Sequence, residues 1–246
     1  MENIKKIEYI CKWITDYVDT MPVSAKSLIV GISGGIDSSL TSTLCAKTGI
    51  HTIAVKLPIS SDNPKNCDLH ATWLINNFKN VQCLELNLTN IYSQFKKICD
   101  EHQLHNDLGL ANSKARLRML ALYQIAASTN GLVIGTGNKV EDFGVGFFTK
   151  YGDGGVDISP IADLKKSEVK NLAKELKIHK SIIDANPTDG LWDDGRTDED
   201  QLGLTYDQIE DAMSNNDSPH KSGYEKIRNK NLHKMKPIPV CKFEDE

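Results

Sequence analysis

Apolar positions along the chain fall into two rhythms. Short runs at 28–31, 51–57, 81–86 and 131–135 are long enough for buried strands and too short for helices. Elsewhere apolar residues recur every three or four positions. This spacing predicts helices over 4–19, from Asp37 through Ala46, and over 66–77, 90–101, 108–129, 165–176, 202–213 and 224–235, with Thr205 as an N-cap and a short turn at 181–183. Strands alternating with helices predict an α/β fold, a doubly wound and mainly parallel sheet flanked by helices, in one domain spanning 1–246. The 108–129 helix carries apolar residues on more than one face, so it needs two packing partners, and a second subunit is one candidate.

Two stretches break these rhythms. Between Thr136 and Pro160 glycine is dense, which favours ligand-contacting loops over packed elements. Residues 189–200, DGLWDDGRTDED, are acidic and offer little to bury beyond Leu191 and Trp192, the pattern of a mobile flap.

Composition narrows the classes. A net charge of −4 provides no basic footprint for nucleic acid. Six cysteines occur without a C-x-x-C pair, so zinc, iron–sulfur and redox spacings are missing. The N-terminus is polar and no 18-residue apolar run exists, so a cytoplasmic protein with reduced thiols and no membrane partner is expected.

The chemistry concentrates at Leu28–Ser39, LIVGISGGIDSS, where a strand meets a glycine turn and then a helix start. Such a turn offers backbone N–H groups and a helix dipole to an anion, with Ser33, Ser38 and Ser39 adding hydroxyls. The spacing is neither that of a Walker loop nor of a dinucleotide fingerprint. S-G-G-x-D-S resembles the PP-loop of the ATP pyrophosphatase superfamily, which cleaves ATP between the α- and β-phosphates. The strand-end loop 58–64 is a second ligand-side segment.

Glu141, just past the fourth strand, lies on the same rim, and a hard cation there would want a second oxygen ligand. Taken alone it reads as a solvated loop carboxylate. Arg116 and Arg118, two apart on a helix, point to different faces, so one at most serves a given ligand.

Longer motifs follow in order: N-x-K-A-R-x-R-M at 112–119, G-T with Glu141, F-F-T-K-Y-G-D-G-G-x-D from Phe147, P-T-x-x-L-W at 187–192 and His233-Lys234. Together they resemble the NAD synthetase family over about 26–234. The resemblance implies ammonia-dependent amidation of deamido-NAD with ATP, through an adenylated nicotinate carboxylate. It implies that Gly31, Ile32, Ser33, Gly34, Gly35, Ile36, Asp37, Ser38, Thr136, Lys166 and Thr188 hold ATP, the last two catalytically. It further implies Mg²⁺ on Asp37 and Glu141, deamido-NAD on Arg116, Lys150, Asp157, His233 and Lys234, and a homodimer. Two features depart from the family: Met235 stands where an Arg is usual, and the segment from Glu141 to Lys150 is one residue longer than in common members. A PP-loop tRNA-modifying enzyme is the alternative, disfavoured by the lack of paired cysteines, basic excess or an RNA-binding module, and a non-catalytic nucleotide sensor is the third reading.

Overall fold

The computed structural model describes residues 1–59, 65–192 and 194–243. Most of the expected 58–64 loop and Asp193 of the expected flap therefore lie outside the described residues. In chain order the elements are α1 (Asn3–Thr20), β1 (Ser27–Gly31), α2 (Ile36–Lys47), β2 (His51–Lys56), α3 (Lys65–Asn77), β3 (Val81–Glu85), α4 (Thr89–Glu101), α5 (Asp107–Thr129) and β4 (Gly131–Val133). A π-helix (Val140–Val145) follows, then α6 (Lys166–Glu175), α7 (Lys180–Ile183), α8 (Asp198–Leu202), α9 (Tyr206–Ser214) and α10 (Lys221–Met235).

The four strands form one parallel sheet in the order β3-β2-β1-β4, as the alternation predicts. Ile134 adds one parallel rung with Ile158 beyond β4. Both faces of β1 and β2 are covered, which explains their apolar runs, while the edge strand β3 leaves Gln82 and Glu85 exposed. Leu28 and Val30 face the α1, α2 and α6 side, where they meet Ile14, Leu40, Leu44 and Leu172. Ile29 points the other way, toward Met119, Leu122 and Ile125 of α5. Leu40 and Leu44 are fully buried, so truncating either to Ala costs about 2–5 kcal/mol.

Strand order reverses between β1 and β4, since β1 leads to β2 and β3 on one side and the chain returns to add β4 on the other. In open α/β sheets this switch point, outside the carboxyl ends of the strands, is where ligands bind. The turn after β1 and the segment after β4 both open there.

Part of the glycine-rich 136–160 stretch is a packed element, contrary to the expectation of loops throughout. The π-helix buries Val140, Gly144 and Val145 in a separate small core with Leu202, Tyr206, Ile209 and Tyr224. Its wider turn takes one more residue per hydrogen-bonded ring than an α-helix does. Gly146, at φ 67°, ends it in the left-handed conformation.

Candidate active site

The turn after β1 is built by its own side chains. Ser33 Oγ accepts from Gly35 N at 3.2 Å, and Ser38 Oγ accepts from Ser33 N at 3.2 Å and donates to Gly35 O at 3.0 Å. Gly34 is required twice over: its φ is +84°, and a Cβ there would lie 2.6 Å from Cys67 N. Gly35 caps α2 without a side chain, so the first N–H groups of that helix face outward with no helical partner. Gly31, Ile32 and Ile36 frame this turn, with Ile32 and Ile36 buried beneath it.

Three charged residues from three elements converge beside it. Lys166 Nζ donates to Asp37 Oδ2 at 2.6 Å and to Glu141 Oε1 at 2.8 Å. Its side chain is 3% exposed, against 17% for Asp37 and 15% for Glu141. Burial opposes the Lys166 charge, but the two carboxylates outweigh it and raise its pKa. Burial raises Asp37. Burial also works against Glu141, yet Lys166, Tyr206 and Asn138 together hold it below the ordinary carboxylate range. Lys166 is the first residue of α6, the end where a cation meets an unfavourable dipole. Two buried anions override that preference, a local conflict typical of functional sites.

Asn138 ties the group together. It donates to Asp37 Oδ1 at 3.0 Å and accepts from the backbone N–H of Val140 and Glu141. Tyr206 donates to Glu141 Oε1 at 2.6 Å, reaches Asp198 Oδ2 at 3.1 Å and presents its ring 4.7 Å from Lys166 Nζ. Neither Tyr206 nor Asp198 stands out in the sequence. The tyrosine fits the core pattern of α9, and Asp198 lies in the acidic stretch that seemed to bury nothing, though it is only 5% exposed. Asp37 and Glu141 offer oxygens alone, which suits a hard divalent cation. Among the described residues no group of three or more His, Cys, Asp or Glu side chains could hold a metal, so other ligands to such an ion would come from phosphate and water.

The remaining candidates lie apart from this group. Arg116 Nε donates to Lys150 O at 3.2 Å, Lys150 Nζ lies 5.3 Å from the Tyr151 ring centroid, and Lys234 Nζ donates to Phe148 O at 2.7 Å. The 147–151 segment thus gathers Arg116, Lys150 and Lys234, with His233 exposed alongside on α10. Asp157 accepts from Tyr123 OH at 3.0 Å and Val133 N at 2.8 Å, which pins it at the edge of β4. Arg118 turns away from Arg116 to donate to Leu57 O at 3.1 Å, as their spacing requires. Thr136 is half-buried after β4, and Thr188 is exposed, with its hydroxyl accepting from Gly190 N at 3.2 Å. Neither joins the Asp37–Lys166–Glu141 group.

The family profile for NAD synthase matches residues 6–244. The NH(3)-dependent NAD(+) synthetase of Mesoplasma florum is 38% identical over 239 residues, covering 95% of each chain. A solved structure of NMN synthetase from Francisella tularensis superposes with a TM-score of 0.89 at 33% identity, covering 99% of this chain and all of that one. The NH3-dependent NAD synthetase of Campylobacter jejuni, solved with nitrate, gives 0.77 at 28% identity, covering 98% of this chain and all of that one. With the profile spanning nearly its whole length and the carboxylate–lysine group set at the sheet's switch point, this chain belongs to the NAD synthase family.

Proposed function

We propose that the protein amidates deamido-NAD with ammonia at the expense of ATP, yielding NAD, AMP and pyrophosphate. The observation that carries this reading is the convergence of Asp37, Lys166 and Glu141 beside the PP-loop turn, in a member of this family. The N–H groups of 31–38 and the hydroxyls of Ser33 and Ser38 receive the phosphates, with Thr136 and Thr188 as flanking hydroxyls. Asp37 and Glu141 fit Mg²⁺, which when bound neutralises phosphate charge and polarises the α-phosphorus. Lys166 then passes from the two carboxylates to the phosphates.

A carboxylate is a poor electrophile. Attack of the nicotinate oxygen on the α-phosphorus releases pyrophosphate and forms an acyl-adenylate. Ammonia adds to its carbonyl, AMP leaves and a proton is released. Charge grows on the departing groups, where Lys166 and the N–H donors supply stabilisation already in place. Arg116, Lys150, Asp157, His233 and Lys234 hold the dinucleotide. Turnover with ATP, Mg²⁺, deamido-NAD and ammonium, followed by chromatography for NAD and AMP, tests this reading.

The likeness to the Francisella tularensis NMN synthetase favours a second reading, in which the acid is nicotinate mononucleotide. Assaying both acids side by side separates the two. A higher kcat/KM for deamido-NAD supports the first, and a higher value for the mononucleotide replaces it.

The protein is further proposed to be a homodimer. On α4 the apolar stripe of Ile91, Phe95 and Ile98 is exposed, and Leu108 and Leu120 of α5 are exposed as well. Patches of this kind mark association surfaces. Light scattering should give twice the chain mass, and a monomer for Phe95→Glu.

A further inference from the structure

Tyr206 has one hydroxyl proton and two acid neighbours. Its oxygen lies 2.6 Å from Glu141 Oε1 and 3.1 Å from Asp198 Oδ2. The shorter contact, to the carboxylate already paired with Lys166, takes the proton. Asp198 then faces a phenol lone pair, and the contact is a hydrogen bond only if Asp198 is the donor.

The surroundings agree. Asp198 is 5% exposed, and its other oxygen, Oδ1, is buried with no hydrogen-bond partner among the described residues. An ionised carboxylate with one oxygen desolvated and unpaired is costly, and a neutral acid much less so. Burial, followed by the charge of Glu141, pushes Asp198 up to about 7. Tyr206 itself is fixed: it is 4% exposed and its backbone N donates to Glu199 Oε1 at 2.9 Å.

We propose that Asp198, acting through Tyr206, is a positioning residue for Glu141: it directs the phenol proton onto Glu141 Oε1 and so fixes the carboxylate in the site. Asp198 follows directly on the 189–197 stretch, so the placement of that stretch is coupled to Glu141 through two hydrogen bonds. This inference rests on the reading of Glu141 as a Mg²⁺ ligand.

The test titrates Mg²⁺ calorimetrically into the full chain with α,β-methylene-ATP, which cannot be cleaved at the scissile position. Thermal unfolding confirms that each variant is folded. Asp198→Ala and Tyr206→Phe should each weaken Mg²⁺ binding by about ten-fold, the size seen when a metal ligand loses its supporting hydrogen bond. Asp198→Asn, whose amide donates to the phenol as the acid does, should restore affinity to within about two-fold. The double variant Asp198→Ala with Tyr206→Phe should be no weaker than Tyr206→Phe alone. Unchanged affinity in a folded Asp198→Ala, an Asn variant as weak as Ala, or additive losses in the double variant would each overturn the proposal. Lack of Mg²⁺ binding by the unmutated chain removes it together with the Glu141 assignment. The titration involves no turnover, so a chain that amidates neither acid refutes the proposed reaction and leaves this result standing.

Discussion

Lys166 and Asp37, 129 residues apart in sequence, meet at 2.6 Å, and the same ammonium holds Glu141 at 2.8 Å. One buried cation thus bridges two carboxylates at the mouth of the sheet. Removing one partner of a buried ion pair costs about 3–5 kcal/mol, because the other charge stays buried and alone.

Lys166→Met should therefore lower the melting temperature in metal-free buffer by roughly 6–20 °C, at about 2–4 °C per kcal/mol for a chain of this size. Mg²⁺ should recover part of that loss in the variant and shift the unmutated protein less, since only the variant has two unpaired acids. Calorimetry with EDTA and with Mg²⁺ makes the comparison. A variant that melts with the unmutated chain would mean that the two acids do not depend on Lys166. AMP formation should be lost in either case.

Much of this was legible in the sequence, and for physical reasons. Strands buried on both faces must be apolar on both, so 28–31 and 51–57 marked the centre of the sheet, while the edge strand at 81–86 keeps polar Gln82 and Glu85. The turn after β1 was legible too, since its backbone, with Gly34 at φ +84° and against Cys67 N, requires glycine. The π-helix was not legible. Its glycines signal loop in any local reading, and it holds together through the Asn138 side chain and a distant core with Tyr206 and Tyr224. Glu141, taken alone, reads as a solvated loop carboxylate, and nothing local in the sequence shows that it and Asp37 share a partner. The structure puts them in α2 and the π-helix, against a buried lysine. Asp198 shows the same limit, since one acid among six looks solvated until Tyr206 comes over it from α9.

Arg116 should separate the two substrates. It reaches Lys150 O and no member of the Asp37–Lys166–Glu141 group. Losing one charge-assisted hydrogen bond costs on the order of 1.5–3 kcal/mol, roughly ten- to a hundred-fold. Arg116→Ala should raise KM for deamido-NAD by that factor and leave KM for ATP within about two-fold. Equal effects on both would move Arg116 from the dinucleotide to the support of the fold.

The 189–200 stretch is proposed to close over the site. Its described residues are tied by Lys114 Nζ to Leu191 O at 2.9 Å, Trp192 Nε1 to Gln201 Oε1 at 2.9 Å, Gln201 Nε2 to Asp189 Oδ2 at 3.1 Å and Arg196 at 4.2 Å from the Trp192 ring centroid, and the stretch is anchored at its far end by the buried Asp198. An acyl-adenylate has to be screened from water, and a segment next to Thr188 is placed to do it. Deleting 193–198 would also remove the buried Asp198, so limited proteolysis is the cleaner measurement. Cleavage within 189–197 should be fast in the free protein and slowed at least about ten-fold with α,β-methylene-ATP and deamido-NAD bound. Equal rates would rule closure out.

Asp142 sets a pH dependence of its own. Its carboxylate packs against Gly137, where a Cβ would come within 2.2 Å of Oδ1. Burial, then the charge of Glu141, pushes it from an ordinary value of 3.8 up to about 8. The folded state therefore binds more protons than the unfolded state between those two values, so stability falls as pH rises through that window. The penalty is complete above about pH 8 and absent below about pH 4. Asp142→Asn carries no charge to desolvate and escapes it. In EDTA, the melting temperature of Asp142→Asn relative to the unmutated chain should climb from pH 4 to pH 8 and level off beyond. Mg²⁺ should flatten the slope, because a cation beside Glu141 reduces the field that holds the Asp142 proton. Calorimetric scans at half-unit pH steps decide it: a difference that stays constant across the window would show that Asp142 ionises in the folded protein as it does in the unfolded chain.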